Sequence, residues 1–134
     1  MRDAHHYETT VDVRYADLDE FGYLNNAVHV TLCEEARLGY VRDVLDVDFD
    51  DAGFVVAHQE LDYYRPLTTP EPVEVTVDVT GVGESTITLA YDLRHDGDRL
   101  ATAETVLVFV DDDGNSRPVP DRWREVVDHG GTDA

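Results

Sequence analysis

The sequence predicts an α+β domain in which one long helix packs against a five-stranded antiparallel sheet, and three observations carry that prediction. A single helical stretch with apolar residues on adjacent stripes follows one short strand. Four segments that alternate apolar and polar residues come after it. The breaks between those segments are mostly short turns, which join antiparallel neighbours. A length of 134 residues, 42% of them hydrophobic and 30% charged, fits one domain over 1–134, with a tail that frays from about residue 129.

The first strand is expected at Glu8–Tyr15, where Thr9, Val11, Val13 and Tyr15 alternate with Thr10, Asp12 and Arg14. From Asp17 to Asn25 the chain carries Asp-Leu-Asp, Gly22 and paired asparagines, residues that favour turns and helix caps. The helix then starts at Asn25 or Asn26, either of which can cap it, and runs to about Leu45. Ala27, Val30, Leu38, Val41 and Leu45 form one stripe, and Val28, Leu32, Ala36, Tyr40 and Val44 the next. An acidic turn over Asp46–Gly53 leads to strands at Phe54–Tyr64, Val73–Val82, Thr86–Arg94 and Leu100–Val110. Pro66, Pro70 and Pro72 break the first gap, Gly81 and Gly83 the second, and Asp96-Gly97 the third, a hairpin turn. A short helix is expected at Asp121–Val127. One helix leaves much of a five-stranded sheet uncovered and its edges unpaired, so a homodimer or homotetramer is expected.

Charge excludes two classes of partner. Thirty acidic residues oppose ten basic ones, all arginine, for a net charge of −20. Such a surface repels the phosphates of nucleic acids and the headgroups of anionic membranes. Acid excess without lysine matches the proteins of salt-loving organisms. No apolar run is long enough to span a bilayer, and Met1–Thr10 lacks the pattern of a signal peptide, so a cytoplasmic location is expected. Cys33 is the only cysteine. It cannot form an internal disulfide and offers no metal-ligand cluster.

The informative stretch is Arg14–Arg37, which holds Asp17 and Asp19, Gly22, Tyr23 to Asn26, and Glu34 with Ala36 and Arg37. Asp19 lies just before a helix start, where first-turn N–H groups are unpaired and the helix dipole is positive, so a carboxylate or a developing oxyanion is favoured there. Taken alone, Asp19 reads as a cap or turn residue. Asp17 reads as structural, holding the loop through backbone bonds.

Those residues resemble the hotdog-fold acyl-CoA thioesterases of the 4-hydroxybenzoyl-CoA thioesterase family, whose members carry an Asp-x-Asp-x-x-Gly loop before a central helix containing Glu-x-Ala-Arg. Further similarity lies in Phe54–Leu67, in the Gly81–Thr86 turn and in the end of the last strand, so the resemblance runs from about Thr9 to Trp123. It implies a hotdog fold, with the sheet wrapped around the helix, and hydrolysis of an acyl-CoA to free acid and coenzyme A without metal or other cofactor. It implies Asp19 as the catalytic carboxylate, acting as nucleophile or general base. The backbone N–H near Asn26 becomes the oxyanion donor, with Asn25 as cap and Gly22 allowing close approach of the chain.

His29 stands where the family commonly has Tyr, and packing is its expected role; Tyr23, His29 and His58 are the candidates for the substrate pocket, although a mid-strand His58 reads first as partly exposed. Tyr23 stands where many relatives have His, and Glu84 where relatives often place a basic residue. Arg65, Ser85 and Arg94 are the candidate coenzyme A contacts, with Arg99 and Arg117 the other basic side chains considered. Glu34 and Arg37, three apart on the helix, read as an ion pair. Cys33 reads as a small buried hydrophobe, and Asp111–Asp113 as a turn. Two other functions fit the same pattern: hydrolysis of acyl groups on acyl carrier protein, which like charge opposes, and non-catalytic acyl binding.

Overall fold

The computed structural model describes residues 6–47 and 53–125. Five strands form one antiparallel sheet, β1 (His6–Val11), β2 (Phe54–Tyr63), β3 (Val73–Val82), β4 (Thr86–His95) and β5 (Asp98–Phe109), in the order β1-β3-β4-β5-β2. One helix, α1 (Asn26–Tyr40), continues through a π-helical turn at Val41–Leu45 and stops where Asp46 takes a left-handed conformation. This is the expected architecture. Most of the expected acidic turn (48–52), the last two residues of the expected short helix and the tail expected to fray lie outside the described residues, and helical geometry is seen at 121–125.

Alternation decides which face of each strand meets the helix. Val73, Val75 and Val77 of β3, Ile87, Leu89, Tyr91 and Leu93 of β4, and Leu107 and Phe109 of β5 are all buried. At the far end of the helix, Trp123 closes the core edge-on against Tyr40, Phe54 and Phe109, with ring centroids 6.3, 5.9 and 5.1 Å away.

Three details depart from the sequence expectation. β1 ends at Val11, four residues early, although the alternation continues to Tyr15. The Asp17 carboxylate there accepts the Arg14 N–H at 2.8 Å and the Arg14 guanidinium at 2.8 Å, and it bends Tyr15–Asp17 into a 3₁₀ turn. β5 begins two residues early, because Asp96 and Gly97 both adopt positive φ (50° and 84°) and form a two-residue hairpin turn that pairs His95 with Asp98. The buried helix face is His29, Leu32, Cys33, Ala36, Arg37, Gly39 and Tyr40, which takes Leu32, Ala36 and Tyr40 from the second expected stripe; of the first stripe Val41 and Leu45 are buried and Ala27, Val30 and Leu38 are not. Apolar periodicity left His29 and Arg37 off that face because both are polar. Gly39 is there for approach: a Cβ would sit 2.8 Å from the hydroxyl of Tyr7, which donates to Asp43 at 2.7 Å.

β2 is the exposed edge. Val55, Val56 and Tyr63 are about half accessible, as is Tyr64 just beyond the strand. Its far end runs into Tyr64–Leu67, where the Leu67 carbonyl accepts the Leu24 N–H at 2.9 Å. That bond ties the end of β2 to the loop before α1 and sets the position of the site.

Candidate active site

The loop from Leu18 to Asn25 is built around the carboxylate of Asp19. Its Oδ1 accepts the N–H groups of Phe21 (2.9 Å) and Tyr23 (3.1 Å), while its own N–H donates to the Tyr23 carbonyl at 2.7 Å. A short bridge between Leu18 and Leu24 closes the base of the loop. Gly22 completes the turn at φ 82°; a Cβ there would meet nothing within 4 Å, so the position needs glycine for its backbone conformation and not for close approach. Among the described residues, Oδ2 of Asp19 has no hydrogen-bond partner, which leaves one carboxylate oxygen free on an exposed loop.

Asn25 caps α1. Its side-chain oxygen accepts the Ala27 N–H at 2.9 Å and its carbonyl accepts the Val28 N–H at 3.0 Å. The N–H of Asn26, first in the helix, has no acceptor among the described residues. The first turn therefore offers one unpaired donor at the positive end of the helix dipole. Asp17 lies beneath, buried, its carboxyl held below the usual carboxylate range first by the Arg14 guanidinium and then by the Arg14 N–H. Its carbonyl accepts the Asn25 N–H at 2.9 Å, so Asp17 fixes where the helix begins.

These pieces border a cleft of about 240 Å³ lined by Asp19, Tyr23, Leu24, Asn26, His29, Tyr63, Tyr64, Arg65 and Pro66. His29 is 3% exposed, with Nδ1 3.2 Å from the Asn25 carbonyl and its ring edge-on to Tyr63 at 4.9 Å. Burial pushes its pKa below the ordinary value, against the pull of the Asn25 and Asn26 carbonyls. The Tyr63 hydroxyl donates to the Asn26 carbonyl at 3.2 Å, which leaves the Asn26 N–H side of that residue open.

Of the residues singled out in the sequence, Asp19, Tyr23, Asn26, His29 and Arg65 meet in this cleft, supported by Asp17, Gly22 and Asn25. The others stand apart. His58 pairs with Val106 on the opposite sheet face from the core and lies 3.6 Å from Glu60. Ser85 is at the other end of the sheet, where its carbonyl accepts the Phe109 N–H. Glu84, in the same turn, is exposed, and its carbonyl accepts from Arg124 at 3.0 Å. Arg94 is engaged with Asp92 at 2.8 Å, and Arg99 with Asp92 at 3.0 Å. Arg37 lies 3.9 Å from Glu34, the expected ion pair, and through its other terminal nitrogen also donates to the buried Tyr91 hydroxyl at 3.1 Å, which shares a hydrogen bond with Thr105. Cys33 is buried and its thiol is pushed up to about 12, so it is no nucleophile. Tyr63, Tyr64 and Pro66 were not singled out. Their signal was the Tyr-Tyr-Arg-Pro run at a strand end, aromatic residues where a turn should be polar.

Two side-chain groups among the described residues bring histidine and carboxylate atoms within 4.8 Å of one another, His58 with Glu60 and Glu104, and Glu71 with His95 and Asp96. Neither contains a residue of the Asp19 cleft, and in each the histidine ring lies close to a carboxylate, at 3.0 Å for His95 and Glu71.

A free carboxylate oxygen beside an unpaired N–H at a helix start suits attack on a carbonyl whose oxygen gains charge. Residues 13–128 match the thioesterase-like superfamily. The chain belongs to that family. Its reaction class is thioester hydrolysis. It is 28% identical over 120 residues to a 1,4-dihydroxy-2-naphthoyl-CoA hydrolase of Synechococcus elongatus, covering 84% of this chain and 88% of that protein. A thioesterase from Thermus thermophilus, solved with coenzyme A and zinc, superimposes with a TM-score of 0.83 at 33% identity, over 93% of this chain and 94% of that one. A putative thioesterase from Pseudomonas aeruginosa gives a TM-score of 0.82 at 28% identity, over 90% and 96% of the two chains. The hotdog arrangement expected from the sequence is thus the fold of its family.

Proposed function

We propose that this thioesterase hydrolyses acyl-CoA in the Asp19 cleft, with the Asn26 N–H as oxyanion donor. The observation that carries the reading is the pairing of one unpaired helix N–H with one free carboxylate oxygen on the walls of a single cleft. The thioester carbonyl lies with its oxygen toward Asn26, and Asp19 promotes attack on its carbon. A single oxyanion donor of this kind contributes about 10²–10³ in rate. The relatives whose names or ligands include coenzyme A support the choice of carrier.

The cleft sits at the sheet edge, and its wall from Tyr63 to Pro66 is the exposed end of β2. Pairing two β2 edges antiparallel across a twofold axis covers Val55, Val56, Tyr63 and Tyr64 and makes the dimer. It brings the partner's Phe54 end, and beyond it the partner's Ser85 turn, toward this subunit's cleft. Arg65 is the one basic side chain of the cleft and the first candidate for the coenzyme A phosphates. A net charge of −20 suits work in a cytoplasm rich in salt.

The test is release of free thiol from a panel of acyl-CoA substrates, with the same acyl groups on acyl carrier protein alongside. Hydrolysis of one or more acyl-CoAs in preference to the carrier-protein forms is expected. Acyl-CoA binding without any thiol release would make this a binding protein, and faster turnover on carrier protein would replace the substrate.

A further inference from the structure

His29 is the residue of the cleft that thioester hydrolysis has not yet used. Its ring is fixed on two sides. Nδ1 faces the Asn25 carbonyl at 3.2 Å, and a carbonyl only accepts, so Nδ1 carries the proton. The Tyr63 ring packs perpendicular to that of His29, at 89°. Nε2 is then a bare acceptor. Among the described residues it has no partner, and the fully buried unpaired side-chain nitrogens are Arg37 Nε and Trp123 Nε1. Nε2 is therefore the edge of a buried ring that opens to the cleft.

The cleft thus presents two unpaired groups that only accept, His29 Nε2 and Asp19 Oδ2. Of the other polar side chains that line it, Tyr63 donates to the Asn26 carbonyl, Arg65 is a cation, and the Tyr23 and Tyr64 hydroxyls and the Asn26 amide can each donate as well as accept. A water molecule has two protons to donate, and a share of liquid volume of about 30 Å³, well within this cleft. Two acceptors that take both its protons leave its lone pairs directed at a carbonyl carbon.

We propose that His29 Nε2 and Asp19 Oδ2 hold the hydrolytic water between them, so that Asp19 acts as general base and not as nucleophile. This rests on the assignment of the Asp19 cleft to thioester hydrolysis. The water oxygen bonds to the carbonyl carbon while its proton passes to Asp19, and the negative charge on the carbonyl oxygen is met by the Asn26 N–H. The C–S bond then breaks. The electron pair leaves with sulfur, and the proton on Asp19 returns to the thiolate or to solvent. One thioester and one water give one acid and one thiol. His29 only accepts a hydrogen bond and does not change its protonation. When it is protonated, Nε2 becomes a donor and the water loses its second anchor. Burial keeps the ring neutral toward lower pH than an exposed histidine. The ionisable groups that line the cleft with it are Asp19 and Tyr23 from the loop, and Tyr63, Tyr64 and Arg65 from the end of β2.

The experiment compares wild type with His29→Leu and His29→Gln, using the acyl-CoA hydrolysed fastest by the wild type. His29→Leu should lower kcat by about 10²-fold, the lower end for a positioned proton-transfer partner, with KM within about threefold. His29→Gln, whose side-chain oxygen still accepts, should recover part of that loss and lack the fall in kcat that the wild type shows as His29 protonates. A single turnover in ¹⁸O-water should label the acid product and leave Asp19 unlabelled. An effect confined to KM, pH profiles that superimpose for wild type and His29→Leu, or ¹⁸O in Asp19 would each overturn the proposal. A wild type inert toward every acyl-CoA would instead remove the assignment beneath it.

Discussion

Replacing Asp19 separates the two jobs that its carboxylate does, one oxygen holding the loop and the other facing the cleft. In Asp19→Asn the amide carbonyl can still accept from Phe21 and Tyr23, so the loop persists and only the charge assistance of two exposed bonds is lost. That costs about 1 kcal/mol or less, a few degrees in Tm for a domain of this size. The catalytic loss is larger, because an amide is no base. A positioned acid–base group contributes about 10²–10⁴ in rate, or about 2.7–5.4 kcal/mol at 1.36 kcal/mol per tenfold. Asp19→Ala loses both anchors as well, a further loss in stability of about 1–2 kcal/mol by analogy with removal of a cap. The assay is thiol release for kcat alongside thermal melting of wild type and both variants. The expected pattern is a similar catalytic loss in the two variants with a clearly larger drop in Tm for Asp19→Ala. A folded Asp19→Asn enzyme within threefold of the wild-type kcat would refute the reasoning and move the chemistry to another group.

Gly39→Ala should destabilise the fold despite the better helix propensity of alanine, worth about 1 kcal/mol, since overpacking against Tyr7 costs about 1–3 kcal/mol and strains its bond to Asp43. Adding Tyr7→Phe should restore part of the loss in denaturant titrations, and a Gly39→Ala protein more stable than wild type would contradict the packing. Stability, dimerisation and apparent acyl-CoA affinity should all rise between about 0.1 and 3 M KCl as the Debye length contracts to about 3 Å near 1 M and less above it. Sedimentation, melting and KM across that series check this; a flat Tm with a rising KM would sink it. Asp17 has a lowered folded pKa, so its stabilisation is complete above its unfolded value near 3.8 and is lost as pH falls through the lower folded value. Asp17→Asn should flatten that part of an unfolding free energy against pH curve. His6 has the opposite sign: hydrogen bonding to Asp78 raises its pKa, so its contribution is complete below 6.5 and fades as pH climbs through the folded value, a slope that His6→Gln should remove.

The parts of the molecule legible in the sequence were those written in local pattern. Period-two alternation located β3 and β4, and Asp96-Gly97 located the last hairpin, because backbone geometry alone dictates both. The loop was legible for the same reason, since Asp17, Asp19, Gly22 and Asn25 each satisfy neighbouring backbone groups. What escaped was set by distant contacts. Tyr63, Tyr64 and Pro66 enter the cleft only because Leu67 bonds to Leu24 across the fold, and no spacing encodes that bond. Arg37 looked like half of a surface ion pair until Tyr91 and Thr105, from two other strands, supplied its buried partner. His29 was a pocket candidate from the family resemblance, and what the sequence left open was its burial against Tyr63 and the Asn25 carbonyl.

The central claim is that the thioester carbonyl binds at the start of α1 beside residue 19. A crystal structure of the slow Asp19→Asn enzyme with an uncleaved acyl-CoA tests it most directly. The carbonyl oxygen should lie about 2.7–3.1 Å from the Asn26 backbone nitrogen, the range for an oxyanion donor, with the carbonyl carbon facing residue 19 and His29. An acyl-CoA seated with its thioester away from Asn26, for example in the groove between β1 and α1 lined by Thr9, Val11, Val28 and Leu32, would contradict the account.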